Sequence, residues 1–182
     1  MSDDFDAIVL GGGPGGYVCA IRMGQLGLNV ACVEEAEYGG VCLNWGCIPS
    51  KALIANSHLY LKAKKAAEVG LNIPSVSVDA EKMQDWKAGI VKKLTQGVRG
   101  LLKSNGATLV LGKGTLTDAR TVVVTGKDGT ERRLTASRAI VIATGSDTIQ
   151  VPGFEFDGER IIGGYESFAD EFATILSRQL DA

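Results

Sequence analysis

The sequence predicts a three-layer α/β fold with an inserted antiparallel β-meander. Three observations predict it. Two short apolar runs, residues 6–10 and 28–33, flank a helical stretch, giving a βαβ opening. A cluster of glycines sits at the first strand-to-helix turn. Beyond Thr108 the apolar spacing changes from helical to alternating, as half-buried strands require.

In order along the chain, residues 6–10 are rich in Ile and Val and stop at the glycines, as a buried parallel strand does. Residues 14–26 place Val18, Ile21, Met23 and Leu26 roughly on one side, with Gly27 as a stop, and predict a helix. Residues 28–33 predict the second strand. Residues 34–46 read as a loop with glycines at 39, 40 and 46. A second helix is expected from Cys47–Pro49 to about Glu68, since proline suits a first helical turn. After a loop over 72–79, residues 81–103 form the clearest amphipathic helix. Met83, Trp86, Ile90, Val91, Leu94, Val98, Leu101 and Leu102 recur at three- and four-residue steps and are expected in the core. Residues 108–111, 115–117, 120–125 and 131–135 then predict short antiparallel strands, with a hairpin turn at Lys127-Asp128-Gly129. Residues 138–143 predict a further parallel strand, ending in Thr144-Gly145-Ser146.

Length and composition narrow the function classes. The chain has 182 residues, 45% apolar and 22% charged, which suits a soluble globular protein of about one domain. The net charge of −2, without a basic run, argues against nucleic acid as a partner. No apolar stretch approaches a membrane span, and the acidic residues 1–6 lack a secretory h-region, so the cytoplasm is the expected location.

Gly11, Gly13 and Gly16 form Gly-x-Gly-x-x-Gly between the first strand and the first helix. The first glycine permits a sharp turn, the second a close approach of pyrophosphate, and the third tight packing of helix on strand. The helix N-terminus offers free N–H groups to the phosphates. Glu34 closes the second strand, where a carboxylate accepts hydrogen bonds from ribose hydroxyls and disfavours a 2′-phosphate. This context predicts a Rossmann-like dinucleotide site and leaves FAD and NAD as alternatives.

Cys42 and Cys47 lie in Gly39-Gly40-Val41-Cys42-Leu43-Asn44-Trp45-Gly46-Cys47-Ile48-Pro49-Ser50-Lys51. A helix N-terminus favours a thiolate at Cys47, and Lys51 adds a cation one turn on. A zinc site needs more ligands than His58, Cys19 and Cys32 plausibly add, the two cysteines falling in core elements, so no metal is expected. A structural disulfide has little purpose in a cytosolic domain with an ample core. A redox-active dithiol fits best, and such a pair needs a mediator to exchange electrons with a nicotinamide. A flavin does both, which favours FAD.

The segment Gly-Gly-Val-Cys-Leu-Asn-Trp-Gly-Cys-Ile-Pro-Ser-Lys resembles the active-site signature of the class I pyridine nucleotide-disulfide oxidoreductases. Its Leu-Asn and Ile-Pro-Ser-Lys-Ala-Leu details resemble the dihydrolipoamide dehydrogenases more than glutathione or mercuric reductases. The resemblance implies that Cys42 exchanges with dihydrolipoamide, that Cys47 is the charge-transfer thiolate against the flavin, and that Lys51 hydrogen-bonds near flavin N5. It implies that Gly11, Gly13, Gly16 and Glu34 hold the ADP half of FAD, and that Gly40, Gly114, Thr144, Gly145 and Ser146 also contact the cofactor. NAD would be the co-substrate, a lipoyl-bearing protein of a 2-oxoacid dehydrogenase complex the partner, and a homodimer the family's assembly. An FAD domain is expected over 1–162, followed by a divergent tail over 163–182 with a possible helix at 168–176. The family's NAD domain and interface domain, the latter carrying its His–Glu acid/base pair, are not in this sequence. A truncated or frameshifted gene would explain that, and weak or absent turnover by the chain alone is expected. The alternatives are a non-catalytic FAD-binding remnant and a related reductase acting on another disulfide or on mercuric ion.

Overall fold

The computed structural model describes residues 2–157 and 161. They form two compact units. The first takes in residues 2–44 and 94–147, the second 45–93 and the described residues from 148. The tail expected over 163–182, and the helix at 168–176, lie outside the described residues.

The first unit is built on one six-stranded sheet of order β3-β2-β1-β6-β5-β4. Its strands are β1 Ser2–Leu10, β2 Val30–Glu34, β3 Thr108–Leu111, β4 Lys113–Leu116, β5 Thr121–Thr125 and β6 Glu131–Ile142. The helices are α1 Pro14–Gln25, α2 Gly40–Asn44, α3 Cys47–Lys64 and α4 Ala80–Ser104. A 3-10 turn, Ala66–Val69, follows α3. The mixed α/β architecture agrees with the sequence expectation.

Two strand assignments change. Residues 108–111 were expected to be antiparallel. β3 instead pairs with β2 in parallel, Cys32 opposite Leu109. It returns from a long helical crossover, and such a connection brings a strand back in the same direction. Residues 131–135 and 138–143, expected as two strands, are one. β6 runs antiparallel to β5 over its first part and parallel to β1 along nearly its whole length, Leu10 opposite Ile142. Ala136 and Ser137 contain no glycine or proline to break the extended backbone, and Ala136 is buried at the joint.

The two faces of the sheet explain the alternation. Phe5, Ile8, Leu10, Ala31, Val33, Val110, Val122, Val124, Leu134 and Ala136 form one apolar cluster. β4 curls back over this face. The Gly112 N–H donates to the Glu34 carbonyl at 2.9 Å. A side chain at Gly114 would sit 2.8 Å from Leu10 Cδ2. The opposite face carries α1, which packs through the small residues Gly16 and Ala20 rather than the expected Val18 and Leu26, both exposed. Small residues let the helix axis lie close: a Cβ at Gly16 would reach Val9 Cγ1 at 3.4 Å.

Two helical expectations are also revised. The loop over 34–46 contains α2, and α4 buries only part of the apolar set its spacing suggested, Val98 and Leu102 among it. Gln84, Lys87, Thr95, Val98 and Leu102 are buried, whereas Trp86, Leu94 and Leu101 are exposed. The apolar residues of α4 cover more than one face, so periodicity alone could not choose between them. In the second unit, Pro49, Ala52, Leu53 and Ala66 are buried. Among the described residues, no helix is long and apolar enough to cross a membrane.

The sheet-to-meander cluster should dominate stability. Leu134 is fully buried, so Leu134→Ala is expected to destabilise by about 2–5 kcal/mol, read as a lowered urea midpoint.

Candidate functional site

The C-terminal ends of β1, β2 and β6 converge on the glycine loop. The Gly11 N–H donates to the Val33 carbonyl at 2.8 Å, and the Ala143 N–H to the Leu10 carbonyl at 2.7 Å. Gly11 has φ +103°, and a Cβ there would lie 2.1 Å from the Ala143 oxygen. A Cβ at Gly16 would lie 1.7 Å from the Gly11 oxygen. No side chain fits at either position. The loop therefore closes backbone to backbone, leaving the amides at the start of α1 without side chains crowding them. Pro14 at the first helical turn supports this, since its missing N–H belongs to the unpaired set.

Glu34 braces the loop. Its Oε2 accepts the Gly12 N–H at 2.7 Å and its Oε1 accepts the Ala36 N–H at 2.8 Å. Each carboxylate oxygen retains further acceptor capacity. The acid can thus hold the loop and still receive hydroxyl groups from a ribose.

Residues 35–40 fold over the same loop. The Gly39 N–H donates to the Gly12 carbonyl at 2.8 Å. Gly40, at φ +57°, approaches so closely that a Cβ would lie 2.7 Å from the Gly13 Cα. Gly11, Gly13, Gly16, Glu34 and Gly40 are therefore brought together. Thr144 joins them, its nitrogen 3.1 Å from the Cβ position of Gly11. Gly145, at φ +77°, and Ser146 follow on the exposed segment after β6. Gly114 sits in β4 opposite Val124, where the sheet core already accounts for its lack of a side chain.

Sequence reasoning missed Tyr38. It is almost fully buried. Its hydroxyl lies 2.8 Å from the Cys32 carbonyl and 3.2 Å from the Val110 carbonyl, two acceptors for its one proton. Its ring packs on Gly12, where a Cβ would stand 2.8 Å from a ring carbon. The available signal was a lone aromatic in an otherwise polar, glycine-rich stretch. Burial pushes the Tyr38 phenol well above its ordinary value.

The cysteines divide between the units. Cys42 belongs to the first, half-buried in α2. Cys47 belongs to the second and is exposed at the start of α3, with Lys51 exposed one turn further on. Cys19, Cys32 and Cys47 carry free thiols. Cys32 is fully buried, and burial, reinforced by Glu34 and Cys19, pushes its thiol up to about 12.

Known proteins resemble the chain in both sequence and fold. The family model described as pyridine nucleotide-disulphide oxidoreductase matches residues 5–174. A dihydrolipoyl dehydrogenase of Geobacillus stearothermophilus is 52% identical over 151 residues, covering 83% of this chain and 32% of that protein. One of Bacillus subtilis (strain 168) is 47% identical over 164 residues, covering 90% and 34%. The crystal structure of LpdA from Mycobacterium tuberculosis superposes with a TM-score of 0.80 at 24% identity, covering 91% of this chain and 37% of that one, and shares the fold. The chain spans about a third of the length of these curated relatives.

Two outcomes follow from the geometry. Gly16→Ala forces the loop away from β1 and is expected to cost about 1–3 kcal/mol, measured by urea denaturation. Cys32 should resist alkylation at pH 8 while Cys47 reacts, resolved by peptide mapping. The folded state holds the Cys32 proton more tightly than the unfolded state, whose thiol ionises near 9.0. The contribution of this thiol to stability is therefore complete below pH 9 and declines as pH rises towards about 12.

Proposed function

The chain belongs to the pyridine nucleotide-disulphide oxidoreductase family, and on that premise we propose that it carries the FAD-binding and redox-cysteine chemistry of a dihydrolipoyl dehydrogenase. The observation that carries the reading is the glycine cradle braced by Glu34 through the Gly12 N–H. Gly11 and Gly16 leave no room for side chains in this loop, which supports a close backbone approach to a pyrophosphate group.

Gly11, Gly13 and Gly16 would hold the pyrophosphate, and Glu34 the ribose hydroxyls. Gly40, Thr144, Gly145 and Ser146 would border the cofactor, with Gly114 contributing backbone. Lys51 would supply a cation towards the flavin. Bound FAD supplies a two-electron carrier able to accept electrons from a dithiol and pass hydride to NAD.

The chain's own part is thiol–disulfide exchange between Cys42 and Cys47. A thiolate of dihydrolipoamide attacks the Cys42 sulfur of the oxidised pair, and Cys47 departs as a thiolate. The second lipoyl thiol, losing its proton, attacks the sulfur bonded to Cys42. The lipoyl ring disulfide forms and Cys42 leaves. The lipoyl group is oxidised by two electrons and the cysteine pair is reduced by two. Cys47 stands at the N-terminus of an 18-residue helix. The partner would be a lipoyl-bearing protein of a 2-oxoacid dehydrogenase complex, met in the cytoplasm.

The chain is expected to take up FAD and turn yellow. After oxidation, stoichiometric dihydrolipoamide should restore a pair of free thiols by thiol titration. Cys42→Ser and Cys47→Ser should restore none while still binding FAD. Colourless protein after FAD reconstitution, or an unchanged thiol count in the wild-type chain, refutes the proposal.

A further inference from the structure

Arg99 belongs to none of the motifs above, yet it grips the segment that crosses the cradle. It lies in the last two turns of α4, within the first unit. Its guanidinium ion-pairs with the Glu37 carboxylate. It also lies over the Tyr38 ring, 5.6 Å from the centroid. Both partners sit in residues 35–39, the link between Glu34 and the helix that carries Cys42.

That link has no regular structure of its own. It passes through Gly39 at φ +106° and enters α2 at Gly40, whose φ is +57°. On the inner side it is held by the Tyr38 hydroxyl, by the Gly39 N–H on Gly12, and by the Ala36 N–H on Glu34. On the outer side Arg99 supplies the grip. The Tyr38 ring thus has the Gly12 backbone at its edge and a guanidinium on its face. Gly12 is the residue whose N–H Glu34 accepts, so a shift of the ring reaches the phosphate loop through one contact.

We propose that Arg99 is a positioning residue for the bound dinucleotide: it clamps residues 37 and 38 so that Tyr38 and Gly39 hold Gly12 in its ligand-ready place. The proposal rests on the FAD reading above. A planar guanidinium suits this role, because it can stack on a ring and meet a carboxylate at once, which an ammonium does poorly. Both members of the ion pair are partly exposed, with side chains 39% and 50% accessible. Replacing Arg99 should therefore spare the fold while loosening the loop.

The test is FAD titration of the whole chain by flavin fluorescence, with hydrogen exchange of the cofactor-free chain alongside. Arg99→Gln is expected to weaken FAD about fivefold, about 1 kcal/mol at 1.4 kcal/mol per tenfold, at an unchanged urea midpoint. It should also speed exchange across residues 35–44. Arg99→Lys should recover part of the affinity, and Glu37→Gln added to Arg99→Gln should cost little more. Unchanged exchange in Arg99→Gln overturns the clamp. Faster exchange with wild-type FAD affinity overturns the positioning role. A wild-type chain that takes up no FAD overturns the proposed function, and the positioning role with it, whatever the exchange data report about the clamp.

Discussion

The space at Gly11 admits a hydrogen and nothing larger. The Ala143 carbonyl occupies the place a side chain would take, and the Gly11 carbonyl in turn fills the Cβ position of Gly16. These two contacts fasten the start of α1 to the ends of β1 and β6. The acid at the end of β2 braces the same loop through the Gly12 N–H. A methyl group at either glycine would force backbone apart, because no flexible side-chain end is available to yield.

From this junction the polar interactions follow in sequence. Gly12 emerges with its N–H aimed at Glu34 and its carbonyl at Gly39. Tyr38 seals the same residue from the side and anchors to carbonyls of β2 and β3. A buried phenol without an acceptor would be costly. Here two strands that pair in parallel each offer a carbonyl oxygen to it. The site is thus supported by backbone groups of the sheet itself, and its geometry inherits the sheet's rigidity.

Much of this was legible in the sequence because glycine and cysteine report steric and chemical demands directly. Gly11, Gly13, Gly16 and Glu34 announced the loop and its acid, and the structure gathers them with Gly40 and Thr144. Tyr38 and Arg99 were not legible, since their roles depend on a tertiary approach between α4 and residues 35–39 that no local spacing encodes. The stripe of α4 misled for a related reason. Trp86, Leu94 and Leu101 have helical spacing yet face solvent, while Gln84, Lys87 and Thr95 are buried. Helical periodicity identifies a face, but what the face meets is decided by the rest of the chain. The direction of β3 was hidden for the same reason, as four short strands in succession read alike whether they pair with a neighbour or with a distant partner.

β6 lends one edge to β5 and the other to β1, and Leu10 finds its partner at Ile142. During synthesis β1 leaves the ribosome long before β6 exists. At about 5–20 residues per second the delay is on the order of ten seconds. Through that interval one edge of an apolar strand stays open to stray pairing. The nascent chain cannot complete its glycine junction until β6 arrives, because Ala143, the residue that closes on Gly11, directly follows that strand.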